Sequence, residues 1–247
     1  MIPNEPKYDE PIPFPKLECL SETETESILK LVSNGKAIGL DLIADSLVAK
    51  DNLKRASCVL KDLWTVDLNR LMNNRKYFES RLIALNKDFP NTPTRKRFRP
   101  INVTSPLVKI LEGRLLPKLK KYMRTKMLPC QTGFVENCGI MVNIYRAIQR
   151  IRLRSENKEH TFGFFIDFSN AYNTVRHTIL FDVLKKVLSE DEIQLIKALY
   201  SRQRVKAGKA NFIPNCGVAQ GSLISPALFN LYIEPLLQGI HANVVST

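Results

Sequence analysis

The chain has 247 residues, 44% of them hydrophobic, with a formal net charge of +13 and a pI near 9.6. That is enough apolar material for a buried core, and the charge points to a polyanionic partner, nucleic acid before an acidic membrane. Five cysteines without a CxxC pair, and only three histidines, argue against a zinc site or a disulfide framework and for a reducing intracellular compartment, nuclear or cytoplasmic.

No apolar run reaches the length of a membrane span, and the N-terminus lacks the basic-then-apolar pattern of a secretory signal. Residues 1–20 carry Pro3, Pro6, Pro11, Pro13 and Pro15 and read as an extended linker. Ser21-Glu22-Thr23-Glu24 is a capping box, opening a helix whose apolar side is Ile28, Leu31 and Val32. Helices are expected over 47–59 and 60–73, and strands over 78–85 and 101–103, with a basic, proline-bearing loop between the strands. The spacing of Leu107, Ile110, Leu111, Leu115 and Leu119 predicts a helix over 107–123, and Ile140, Ile144, Ala147, Ile148 and Ile151 predict another over 139–153.

The nearly continuous apolar run 161–166 predicts a buried strand ending at Asp167. Val175, Ile179, Val183 and Val187 keep helical period, and a short helix is expected over 193–200. Residues 205–218, with Gly208, Pro214 and Gly217, read as a hairpin. Ser225-Pro226 starts a helix, with Ser as cap and Pro at the first helical position; Pro235 should kink or end it. Strands and helices in this order predict an α+β architecture.

Basic residues cluster. Between Lys87 and Lys126 twelve lysines and arginines face only Asp88 and Glu112. Further clusters gather at Arg146, Arg150, Arg152, Arg154 and Lys158, and at Arg202, Arg204, Lys206 and Lys209. Any one could be a solvated helix face; three around one candidate site suggest a phosphate-binding channel.

Two segments carry the candidate chemistry. A carboxylate at the end of a buried strand is costly unless paired or bound to a cation, and Mg²⁺ uses one or two carboxylates plus substrate phosphates. By itself Asp167 reads equally as the cap of the turn that follows. Gln220-Gly221 precedes a helix start, and helix N-termini attract phosphate; alone, it reads equally as an ordinary loop-to-helix junction.

Taken together, FFIDFSNAYNTV (164–175) and AQGSLISPALFNLYIEPLL (219–237) resemble the reverse transcriptases, with the nearest likeness to those of non-LTR, LINE-like retrotransposons. KAIGLDLIADSLV (36–48), RLIALNK (81–87), RPINVTSPLVKILEGRL (99–115) and QTGF (131–134) extend the likeness upstream in the family's order, so that it covers roughly 21–240. The resemblance implies a right-hand polymerase fold: a linker over 1–20, a fingers-like region over 21–160 and a partial palm over 161–247, with no thumb. It implies that Asp167 and the Phe168 carbonyl bind Mg²⁺ (two ions in the complete enzyme, with Mn²⁺ as a substitute). Tyr172 would stack under the incoming sugar and exclude a 2′-hydroxyl. Lys87 and Arg99 would clamp the triphosphate, with Lys96 as an alternative to Lys87. Gln220 and Gly221 would meet the incoming dNTP and its template base, and Gln131 and Gly133 would lie along the template. The partners implied are an RNA template, a DNA primer and dNTP.

One departure qualifies this. The family follows the Gln-Gly helix with a hairpin bearing an acidic pair, and no Asp-Asp pair occurs in this chain. The residues 244–247 read as the first strand of that hairpin. Asp182, Glu190, Asp191 and Glu192 lie in or beside helices and do not replace the pair. The expectation is a family member in which these 247 residues do not polymerise unaided. Two alternatives stand beside it: a catalytically inactive RNA-binding remnant, and an RNA-dependent RNA polymerase, against which Tyr172 argues.

Overall fold

The computed structural model describes residues 5–32, 57, 64, 67–92 and 98–245, with the backbone alone for 71 and 241–245. The 36–48 segment, Lys96 and most of the two helices expected over 47–73 lie outside the described residues.

Helix α1 (Glu22–Val32) opens with the expected box: Glu24 N donates to Ser21 Oγ at 3.3 Å and Ser21 N to Glu24 Oε2 at 2.9 Å. It buries Ile28, Leu29 and Val32. Leu31, expected on the same side, is 38% exposed. A single helical turn, α2 (Leu68–Leu71), is capped by Asp67. Strand β1 (Glu79–Asn86) and strand β2 (Phe98–Val103) then pair antiparallel, from Arg81 opposite Val103 to Asn86 opposite Phe98.

Ser105 and Pro106 begin helix α3 (Pro106–Lys126), with Leu107 N donating to Ser105 Oγ at 3.2 Å. Its Ile110, Leu111, Leu115 and Leu119 are at most 1% exposed, making α3 the centre of the core. A side chain at Gly113 would bring its Cβ within 2.7 Å of Ile28 Cγ2, so α1 lies on α3 at glycine distance. Helix α4 (Ile140–Glu156) follows. A 3₁₀ turn over Ala171–Thr174 leads to α5 (His177–Leu184) and α6 (Glu190–Arg202), the latter opened by a Ser189–Glu192 capping box. The chain then adds β3 (Arg204–Ala207) parallel to β1, and β4 (Ala210–Phe212) antiparallel to β3, so the sheet order is β2-β1-β3-β4. Helix α7 (Ser225–Val245) closes the described chain and packs on α3 and α5. The result is a mixed α and β fold around one four-stranded sheet.

Four expectations change. The residues 161–166 are neither paired nor buried: Phe164 is 90% exposed and Phe165 fully exposed. A strand takes its hydrogen bonds from a neighbour, and no described strand runs beside this one, so apolar composition alone does not make it a strand. Helix α4 forms as its period predicts but has no buried residue. Pro235 does not end α7, and Val244 and Val245 are helical rather than the start of a hairpin. Proline is tolerated there as an interior residue at the cost of one backbone hydrogen bond.

The fourth concerns the proline-rich lead-in, which has no helix or strand yet is docked. Tyr8 and Phe14 join the core. Ile12 N donates to Ser201 Oγ, Phe14 N to Asn69 Oδ1, and the Arg202 guanidinium to the Ile12 carbonyl. Prolines favour an extended strap, and the backbone groups of Ile12, Pro13 and Phe14 find side-chain partners on α6 and α2.

Candidate active site

The segment between β4 and α7 is the scaffold of the site. Its residues Gly217 to Gly221 run between the 3₁₀ turn and β2. On one side Gly217 N donates to the Val175 carbonyl at 2.7 Å and Val218 N to the Tyr172 carbonyl at 2.8 Å. On the other, Asn102 N of β2 donates to the Gln220 carbonyl at 2.6 Å. Gly221 has φ +125°, and a Cβ there would fall 2.1 Å from the Asn102 carbonyl oxygen. Only glycine permits that approach. Tyr172, Gln220 and Gly221 are thus brought together on one continuous backbone relay. Beneath the relay, His177 Nε2 meets the Gly217 carbonyl at 2.7 Å and Nδ1 meets Tyr8 OH at 2.8 Å. A carbonyl can only accept, so Nε2 carries the proton and Nδ1 accepts from Tyr8. Burial lowers the imidazole's pKa and keeps it neutral.

Tyr172 is half-buried, and its ring packs on Phe229 of α7 at 5.1 Å between centroids. Burial raises its phenol pKa, which keeps the ring neutral. The next residue of α7, Asn230, donates its amide to the Gly133 carbonyl at 2.5 Å. Leu128 N donates to Glu234 Oε1 at 3.0 Å, and Gly133 N to Gln131 Oε1 at 3.1 Å. Two successive turns of α7 therefore hold the loop of Gln131 and Gly133 and support Tyr172.

Lys87 and Arg99 are exposed and line one depression with Leu85 and Asn86. The pairing of Leu85 with Arg99 puts Arg99 across from the end of β1, and Asn102 lies three positions further along β2, about 10 Å of strand.

Asp167 and Phe168 stand apart. Both are exposed, Phe168 by 48%, and no hydrogen bond or ion pair joins the Asp167 carboxylate to another described residue. Among the described residues no group of three His, Cys, Asp or Glu side chains comes together as a metal site. The acids downstream are engaged elsewhere: Asp182 pairs with Lys185 at 2.7 Å, and Glu192 caps α6 and pairs with Lys118 at 2.7 Å. What Asp167 and the Phe168 carbonyl offer is an oxygen-only donor set at an open position.

The basic clusters are partly consumed in structural pairs, such as Lys120 with Glu136 at 2.6 Å and Lys206 with Glu79 at 2.6 Å. Glu112 reads in the sequence as one acid among lysines, yet the structure places it against the Gln220-Gly221 turn. Its position marks it in the sequence: it is the sole acid of α3, at helical spacing with the buried Val108, Leu115 and Leu119.

The family model of reverse transcriptase (RNA-dependent DNA polymerase) matches residues 86–246. The chain belongs to the reverse transcriptase family. It is 23% identical over 220 residues to the probable RNA-directed DNA polymerase from transposon BS of Drosophila melanogaster, covering 86% of this chain and 24% of that protein. It is 28% identical over 166 residues to the Pol polyprotein from the type-2 retrotransposable element R2DM of the same species, covering 63% of this chain and 15% of that protein. A third relative is the RNA-directed DNA polymerase from mobile element jockey of Drosophila funebris, 28% identical over 143 residues, covering 55% of this chain and 16% of that protein. These relatives place the chain with the non-LTR retrotransposon type of that family. The chain spans about a quarter or less of the length of the curated relatives it matches. Among the described residues, no helix of this chain is long and apolar enough to cross a membrane.

Proposed function

We propose that these residues form the nucleotide-binding and template-binding part of an RNA-directed DNA polymerase, which adds dNTPs to a primer 3′-hydroxyl on an RNA template. The observation that carries this reading is the backbone relay from Tyr172 through Val218 and Gln220 to Asn102. It fixes three of the residues that the family resemblance assigns to the incoming nucleotide.

In this reading Lys87 and Arg99 draw in and orient the triphosphate, as cationic groups at an open depression can. Tyr172, backed by Phe229, stacks under the incoming sugar, so a 2′-hydroxyl clashes with its ring. Gly221 brings bare backbone close to the nucleotide, and Gln131 and Gly133 face the template. Asp167 and the Phe168 carbonyl suit a hard cation and would hold Mg²⁺, or Mn²⁺, together with triphosphate oxygens. Bound there, the cation would supply charge neutralisation and activation of the primer hydroxyl. The primer oxygen bonds to the α-phosphorus as pyrophosphate leaves, a step governed by positioning and charge rather than covalent help from the protein. The cysteine usage supports an intracellular setting.

Primer extension and binding on an RNA–DNA template-primer test the reading. Expected are dNTP binding that needs Mg²⁺ and is lost in Asp167→Ala, and, in the polymerising protein, relaxed exclusion of ribonucleotides in Tyr172→Val by tenfold or more, on the order of 1.4 kcal/mol. A second reading, an RNA-binding remnant without catalysis, draws on the exposed and unpaired Asp167; it predicts template binding indifferent to Asp167→Ala and no dNTP affinity.

A further inference from the structure

Glu112 sits mid-helix in α3, is only 4% exposed, and lines a cavity with Val108, Leu199, Tyr200 and Thr104. Its Oε2 accepts from Leu223 N at 2.9 Å, and the Ser222 side chain is a second hydrogen-bond partner. Both partners belong to the turn that carries Gln220 and Gly221. That turn is closed by Ser222 N donating to the Ala219 carbonyl at 3.2 Å, and it is pressed onto β2 at Asn102. It is therefore gripped from two sides, by β2 and by one buried carboxylate.

A buried carboxylate is a costly way to satisfy one backbone N–H, which a neutral acceptor would serve as well. Burial, opposed by the Leu223 amide, the Ser222 hydroxyl and the charge of Lys109, pushes the Glu112 carboxyl up to about 7. The groups that face it are Lys109 on its own helix, Ser222 and Leu223 on the turn, and Tyr200 on α6, whose phenol its charge pushes further up after burial. The hydroxyls of Tyr200 and Thr104 line the same cavity as Glu112 and have no hydrogen-bond partner among the described residues.

We propose that Glu112 is a positioning residue of the nucleotide site: from α3 it holds the 219–223 turn in the shape that lets Gln220 and Gly221 meet an incoming nucleotide. The inference rests on the reading of Gln220 and Gly221 given under Proposed function. It adds a residue that touches neither nucleotide nor template and acts through the turn.

The test combines amide hydrogen exchange with equilibrium binding of dNTP and Mg²⁺ to the protein on an RNA–DNA template-primer. Glu112→Leu removes the acceptor and keeps the bulk. It should speed exchange at the Leu223 and Asn102 amides tenfold or more and weaken dNTP affinity by a similar factor, while template-primer affinity and exchange at Leu115 and Leu119 hold. Glu112→Gln keeps an acceptor and should rescue most of both, and it should flatten a change in Leu223 exchange that the unsubstituted protein shows across about pH 7. Unchanged exchange in Glu112→Leu, or equal losses of dNTP and template-primer affinity, would overturn the proposal. Should Glu112→Leu not fold, Glu112→Gln decides by its pH profile, and a profile matching the unsubstituted protein also overturns it. Absence of dNTP affinity in the unsubstituted protein would instead overturn the assignment of Gln220 and Gly221, and the exchange data would still show whether Glu112 anchors the turn.

Discussion

At Gly221 the backbone conformation and the available space agree: φ is +125° and the Asn102 carbonyl occupies the position of any Cβ. Gly221→Ala must therefore strain the backbone and push the turn off β2. We expect a loss of about 3 kcal/mol in urea unfolding, with dNTP binding lost alongside. Glu112 gives a second expectation at this scale. Its folded-state pKa of about 7 lies above its ordinary 4.5, so its contribution to stability is fully present below about pH 4.5 and is lost as pH rises through 7. The size is on the order of 3 kcal/mol. Urea midpoints measured across that range should fall for the unsubstituted protein, and Glu112→Gln should remove this part of the slope.

The N-terminal strap shows how much an element without regular structure can contribute. The Glu5 side chain is 1% exposed. It accepts from Arg176 Nε at 2.8 Å, His177 N at 2.8 Å and Thr178 Oγ1 at 3.1 Å, so it closes the N-terminus of α5. Burial alone would raise its pKa; these donors outweigh burial and hold it below the ordinary carboxylate value. The sign is opposite to that of Glu112: stability from Glu5 is present above about pH 4.5 and lost as pH falls through its folded pKa. Glu5→Gln should cost about 1–2 kcal/mol at neutral pH and shift the acid-unfolding midpoint upward. Helix α4 behaves in the opposite way. Its period was legible, but Ile148 is 44% exposed and no α4 residue is buried. Ile148→Asp should change unfolding free energy by less than about 0.5 kcal/mol.

Over the whole molecule the charge of +13 should dominate nucleic-acid affinity. RNA binding should fall steeply and log-linearly with salt, as counterion release requires; a flat salt profile in filter binding would contradict the channel reading. Much of the fold was legible in local pattern. The Ser21 and Ser189 boxes, the Ser105-Pro106 start and the aliphatic spacing of α3 fix helices through hydrogen bonds and contacts within a few residues, so composition and order suffice to place them. The family likeness was legible for the same reason: the Asp167, Tyr172 and Gln220-Gly221 segments are short and ordered along the chain. Tertiary structure decided what depends on a neighbour. Whether 161–166 is a strand depends on a partner's backbone, and whether the face of α4 is core depends on what covers it. Glu112 reads as one acid among lysines until the 219–223 turn is folded over it. Local sequence sets the conformation each segment prefers; burial, strand pairing and the anchoring of a turn come from residues far away in the chain, and only the folded arrangement brings them together.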